Sequence, residues 1–113
     1  MRRTLVTRLG FVVLALIASA GIAKAEDAAK GAAVYAAQKC STCHSIAGKG
    51  GKASPLDGVG KKLSADDIRL WITHPAEATA KAKSTKKPPM PAKYGKLPAA
   101  DLDALVAYMV SLK

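Results

Sequence analysis

Residues 40–44 read Cys40-Ser41-Thr42-Cys43-His44, and no other short stretch of this 113-residue chain constrains the fold as tightly. The chain holds no other cysteine, and its one other histidine is His74. A structural zinc site takes about four ligands, and no second C-x-x-C pair supplies the missing ones. A thioredoxin-like redox pair belongs to a βαβ context, which the flanking sequence lacks. A short-loop disulfide is the ordinary expectation for two cysteines in an exported protein, but it leaves His44 without a role. C-x-x-C-H is the attachment sequence for c-type haem. Thiols at this spacing reach two vinyl groups on neighbouring pyrroles and form thioethers, and the imidazole that follows lies under the iron as an axial ligand. The motif therefore assigns one covalently bound haem c to Cys40 and Cys43, with His44 on the iron.

A second stretch, residues 86–94, reads KKPPMPAKY. Methionine usually fills gaps in a core, yet Met90 stands between prolines that fix φ and remove backbone donors. An extended, polyproline-like loop is expected here, offering a soft sulfur as a ligand. The candidates for a sixth iron ligand are Met90, Met109 and His74. Met109 continues the apolar face of the last helix and reads as core. His74 precedes Pro75 at a helix end, where histidine serves as a cap or surface residue. Met90 belongs to no helical face, and its prolines lower the entropy lost when the loop is fixed. Met90 is the expected sixth ligand; bis-histidine ligation through His74 is the alternative.

The start of the chain reads as an export signal. Arg2, Arg3 and Arg8 precede an uncharged run of 15 residues from Leu9 to Ala23, followed by Ala23-Lys24-Ala25, a small-x-small cleavage pattern. The run is short for a span of about 20 residues, so cleavage after Ala25 is expected, leaving residues 26–113 and no membrane span in the mature protein; Ala18-Ser19-Ala20 is a second candidate cleavage pattern, and an uncleaved membrane anchor is the alternative. Loss of Arg2, Arg3, Arg8 and Lys24 lowers the formal charge from +10 to +6. The remaining domain has four aromatic residues, Tyr35, Trp71, Tyr94 and Tyr108. A core of that size is thin, and a bound group that fills its middle is consistent with the motif.

Along residues 26–113 the pattern is helical. Asp27 to Gln38 is alanine-rich, with Asp27 a candidate N-cap. Gly31 inside it costs about 1 kcal/mol of helix propensity, which points to close approach of another element. Residues 45–62 read as loop. Ser64-Ala65-Asp66-Asp67 resembles a capping box opening a helix with Ile68, Trp71 and Ile72 on one face, ended by Pro75. Residues 76–97 read mostly as loop, with a further helical turn available over Ala76 to Lys83. Leu102, Leu105, Val106, Met109 and Leu112 recur at three- and four-residue steps, a strong amphipathic helix, although Leu97 is a poor cap for it. No segment alternates with period two, so one all-α domain is expected.

These features together resemble the small monohaem class I c-type cytochromes over about residues 27–113. CSTCH at 40–44 is similar to their attachment site and KPPMP at 87–91 to their distal methionine loop. Gly31 and Tyr35 against Leu105 and Tyr108 resemble their contact between first and last helices. The resemblance implies an all-α cytochrome c fold of three to four helices around the haem, with first and last helices touching. It also implies that the carbonyl of Pro55 accepts a hydrogen bond from His44, and that Trp71 contacts a haem propionate. The lysine- and alanine-rich segment 76–87, and a mature core without phenylalanine, depart from the family pattern.

With His44 and Met90 both on the iron no position remains for a substrate, so an electron carrier is expected rather than an enzyme, located in the periplasm. The alternatives are a dedicated subunit of a dehydrogenase or oxidase, and a ligand sensor or peroxidase if Met90 does not bind. Lys86, Lys87, Lys93 and Lys96 flank Met90, while Lys39, Lys49 and Lys52 flank the attachment motif. Redox partners with acidic docking faces are expected. Export and scarce aromatics oppose nucleic acid as a partner.

Overall fold

The crossing of the first and last helices organises the molecule. In the computed structural model, which describes residues 12–113 and side chains from Ala25 onward, helix α1 is Val12–Ala37 and helix α5 is Ala99–Ser111. The basic start and the beginning of the apolar run, residues 1–11, lie outside the described residues. Helix α1 passes through Asp27, which therefore caps nothing: the alanine-rich sequence on both sides favours continuation and contains no proline. Helix α5 buries Ala104, Leu105, Val106 and Met109, the face its periodicity predicts. Where the two helices meet, a Cβ on Gly31 would land on the Ala104 carbonyl oxygen and 2.6 Å from Tyr108 Cβ. The glycine that weakens α1 locally is what lets the helices touch. Tyr35 and Tyr108 pack edge to face beside the crossing, ring centroids 5.8 Å apart.

The remaining elements complete the core from the other side. Helix α3, Ala65–Thr73, starts at Ser64, whose hydroxyl oxygen accepts from the Asp67 N–H at 3.1 Å. It buries Ile68 and Ile72 against Val34, Leu105, Val106 and Met109. Pro75 ends α3 and occupies the first turn of α4, Pro75–Ala82, so the turn available to residues 76–83 is realised as a separate helix. A single-turn helix α2, Val59–Lys62, packs on the end of α5 through the Gly60 N–H, which donates to the Leu112 carbonyl at 2.8 Å. The described residues thus hold five α-helices where three to four were expected, because residues 59–62 and 75–82 wind separately.

Residues 45–62 are not all loop. Strand β1, His44–Ile46, pairs antiparallel with β2, Lys49–Gly50, and parallel with β3, Ser54–Pro55. Ala47 and Gly48 both take positive φ, the two-residue turn that matches strand twist. Strands of two and three residues are too short to show alternation, so no period-two pattern marks them in the sequence.

Candidate functional site

The attachment motif sits at a reversal of the chain. Lys39 adopts left-handed φ 56° after α1, turning the backbone into a 3₁₀ turn over Cys40–Thr42. The Cys43 N–H donates to the Cys40 carbonyl at 3.3 Å and closes that turn. Cys40 is half-buried and Cys43 exposed, and both thiols are free. Burial pushes the Cys40 thiol up, with a backbone hydrogen bond partly offsetting it, so the group is a neutral thiol near pH 7. Gly51 lies directly over the motif: a Cβ there would stand 2.9 Å from the Cα of Cys43, and its N–H donates to the Ser41 carbonyl at 2.8 Å.

His44 begins β1, and the parallel register sets it opposite Ser54. Its Nδ1 lies 2.9 Å from the Ser54 carbonyl oxygen. A carbonyl only accepts, so Nδ1 carries a proton, and in the neutral ring Nε2 is the nitrogen with the lone pair. The resemblance implies an acceptor at the Pro55 carbonyl; the structure has it one residue earlier, at Ser54. Pro55 itself pairs with Ser45. The hydroxyl of Tyr35 donates to the His44 carbonyl at 3.4 Å, a long bond that ties α1 to the start of β1. Burial is the main cause that raises the Tyr35 hydroxyl above its ordinary range.

Met90 is half-buried and packs against the core cluster. Pro91 is extended, at φ −66° and ψ 144°, but the chain bends at Lys87 and Pro88 and Ala92–Lys96 winds into a 3₁₀ turn, so the extended stretch is shorter than expected. Met90 lines a cavity of about 490 Å³ together with Thr73, His74, Pro75, Glu77 and Pro89. His74 is exposed, and its Nδ1 lies 2.9 Å from the Thr73 hydroxyl oxygen. That hydroxyl donates its one proton to the Arg69 carbonyl at 2.8 Å, so His74 is the donor at Nδ1. The structure therefore brings Met90 and its histidine rival to one cavity. Trp71 lies elsewhere, half-buried in a cleft of about 200 Å³ between α3 and α4 with Leu63, Leu70, Ala78 and the Asp67–Lys81 ion pair. Met109 is 6% exposed within the core.

Three supporting groups escaped the sequence reading: Ser54, Gly51 and Thr73. The Gly50-Gly51 pair signals only a loop in the sequence; Ser54 and Thr73 act through backbone register and a hydroxyl, which no spacing announces. Among the described residues no three His, Cys, Asp or Glu side chains gather as a metal site. The donors present do suit a c-type haem: two free thiols at the required spacing, an imidazole oriented through Nδ1 with Nε2 open, and a half-buried thioether.

A family model, described as Cytochrome c, matches residues 28–113. The chain belongs to the cytochrome c family. Searches of curated proteins and of solved structures found no match. Membership implies haem-based electron transfer and haem c held through cysteine, for which Cys40 and Cys43 are the two residues the chain provides. The helical fold with first and last helices in contact agrees with the family, and no described helix is long and apolar enough to cross a membrane.

Proposed function

We propose that this cytochrome is a periplasmic electron carrier in which His44 and Met90 are the two axial ligands of the haem iron. The observation that carries the reading is the 2.9 Å contact between His44 Nδ1 and the Ser54 carbonyl, which presents Nε2 as a ligand in a fixed orientation. When bound, haem supplies a one-electron couple at neutral pH. The chain's own part is to hold, orient and tune. Cys40 and Cys43 retain the group in a domain too small to hold it by packing alone. Ser54 fixes the His44 ring and raises its basicity, and the Tyr35 hydroxyl steadies the backbone at the same residue. Met90 offers a weak donor that favours the reduced iron and raises the potential relative to a second imidazole. Two protein ligands leave no iron position for a substrate, which supports carriage rather than catalysis.

The signal-like segment supports export with cleavage near Ala25. Lys39, Lys49, Lys52, Lys86, Lys87, Lys93 and Lys96 are all exposed, and their placement beside the two ligand segments supports acidic redox partners.

The test is the visible spectrum of the haem-loaded protein, ferric and then ferrous with carbon monoxide. Methionine ligation gives a weak far-red band in the ferric form and no carbon monoxide shift, and Met90→Ala abolishes the band. Ready carbon monoxide binding with no far-red band in the wild-type protein overturns the reading. A low-spin spectrum lost only in His74→Ala would assign bis-histidine ligation, which the shared cavity makes the specific alternative.

A further inference from the structure

We propose that Gly95 is a positioning residue for Met90: the missing side chain at Gly95 sets how closely the turn after the methionine seats on helix α3, and so where the sulfur is held. The inference rests on the Met90 reading above. Gly95 lies in the 3₁₀ turn Ala92–Lys96 that follows the methionine loop. A Cβ there would stand 2.9 Å from the Thr73 carbonyl oxygen, 3.3 Å from Thr73 Cα and 3.5 Å from Thr73 C. Gly95 is not among the positive-φ glycines, so an alanine could adopt its backbone conformation. What the position excludes is bulk.

The wall it meets does not yield. Thr73 is the last residue of α3, next to the buried Ile72. Its hydroxyl donates to the Arg69 carbonyl at 2.8 Å, and the following His74 N–H donates to the Leu70 carbonyl at 2.8 Å. The contact is with backbone, so no rotamer change relieves it. The turn must therefore move outward by a few tenths of an ångström. That movement reaches Met90 along a stiff path, because Pro91 fixes φ between the methionine and the turn. Thr73 and Met90 line the same cavity, so the displaced turn carries the sulfur away from the wall it shares with α3. Metal–ligand bonds hold their lengths to about 0.2 Å, so a shift of this size is felt at the ligand.

The experiment compares haem-loaded wild-type protein with Gly95→Ala and Gly58→Ala. Gly58 is the complementary case: it has φ +73° with open space around its Cβ position, so alanine there strains the backbone without a steric contact. Gly95→Ala should weaken the ferric far-red band and raise the carbon monoxide affinity of the reduced protein about tenfold, the scale of one methyl group forced into a packed contact. Gly58→Ala should lower thermal stability and leave both readouts unchanged. Pro91→Ala, an exposed substitution that slackens the path, should move both readouts in the same direction as Gly95→Ala. An unchanged band and carbon monoxide affinity in Gly95→Ala and Pro91→Ala overturns the proposal, as does an equal change in Gly58→Ala. Absence of the band from the wild-type protein, or its survival in Met90→Ala, removes the Met90 reading and this inference together. A band that depends on Met90 but not on Gly95 removes this inference alone.

Discussion

Gly31→Ala sets two effects of opposite sign against each other. Alanine is a better helix former than glycine by about 1 kcal/mol, so local propensity alone makes the substitution stabilising. The crossing with α5 opposes it. The new Cβ would fall on the Ala104 carbonyl oxygen and stand 2.6 Å from Tyr108 Cβ, whereas carbon atoms pack best at about 3.5–4.0 Å. The helices must part by about 1 Å or more, and a gap of about 0.5–1 Å already forfeits a quarter to a half of each contact's dispersion energy. The contacts at risk are those of Val34, Leu105 and the Tyr35–Tyr108 pair, which join α1 to the core. Overpacking costs about 1–3 kcal/mol, and a clash with backbone belongs at the upper end, so the net destabilisation is about 2 kcal/mol. For a domain of this size that lowers Tm by about 8–16 °C. Thermal unfolding of the haem-loaded variant, followed by near-ultraviolet circular dichroism, measures it. An unchanged or raised Tm would mean that propensity wins and that the helices do not cross closely at Gly31.

The other expectations address the core, the surface and the ion pair. Met109→Ala should lower the urea midpoint, at a cost of about 2–5 kcal/mol for a truncated core side chain, while keeping the far-red band; loss of the band would give Met109 the ligand role instead. Reversing charge at Lys86 and Lys87, both exposed, should flatten the salt dependence of electron transfer to an acidic partner, and an unchanged slope in stopped-flow measurements would remove the docking proposal. Asp67 is held below its ordinary range first by the hydrogen bond from Lys81, then by Ser64. A depressed folded pKa contributes stability above the unfolded carboxylate pKa of about 3.9 that is lost as pH falls through the folded value. The same hydrogen bond raises Lys81, a contribution present below the unfolded lysine pKa of about 10.4 and lost as pH rises through the folded one. Urea titrations of wild type and Asp67→Asn should therefore differ at neutral pH and converge in acid and in strong base; a gap that persists below the carboxylate range would contradict this.

The sequence made some of these residues readable because their roles are local. Ser64 caps α3 through a bond to a group three residues on, and the face of α5 repeats within one helix, so neither needs knowledge of distant chain. Gly31 was readable for a related reason: a costly residue inside an alanine-rich helix demands a neighbour, and the α5 contact supplies it. Asp27 misled because the sequence offers a cap without offering a stop before it, and α1 continues. The acceptor for His44 shifted from Pro55 to Ser54 because its identity follows from strand register, and strands of two or three residues leave no periodic trace.

That division separates the two halves of the candidate site. Covalent attachment needs both thiols and the imidazole within five consecutive residues, so its chemistry is written as a word in the sequence. The proposed distal side draws on segments far apart in the chain: Thr73, His74 and Met90 line one cavity, and Gly95 stands in the turn that follows the proline loop. Each is unremarkable where it stands. Met90 attracts notice only because prolines deny it a helical face, and Gly95 only once the backbone of Thr73 is seen against it. Residues that bind through their own side chains leave a chemical signature, whereas residues that place them by lacking one leave only a glycine. The proposed Met90 ligation therefore depends most on features the sequence shows least, which is why substitution at Gly95, remote from any donor atom, tests the arrangement more sharply than removal of the sulfur itself.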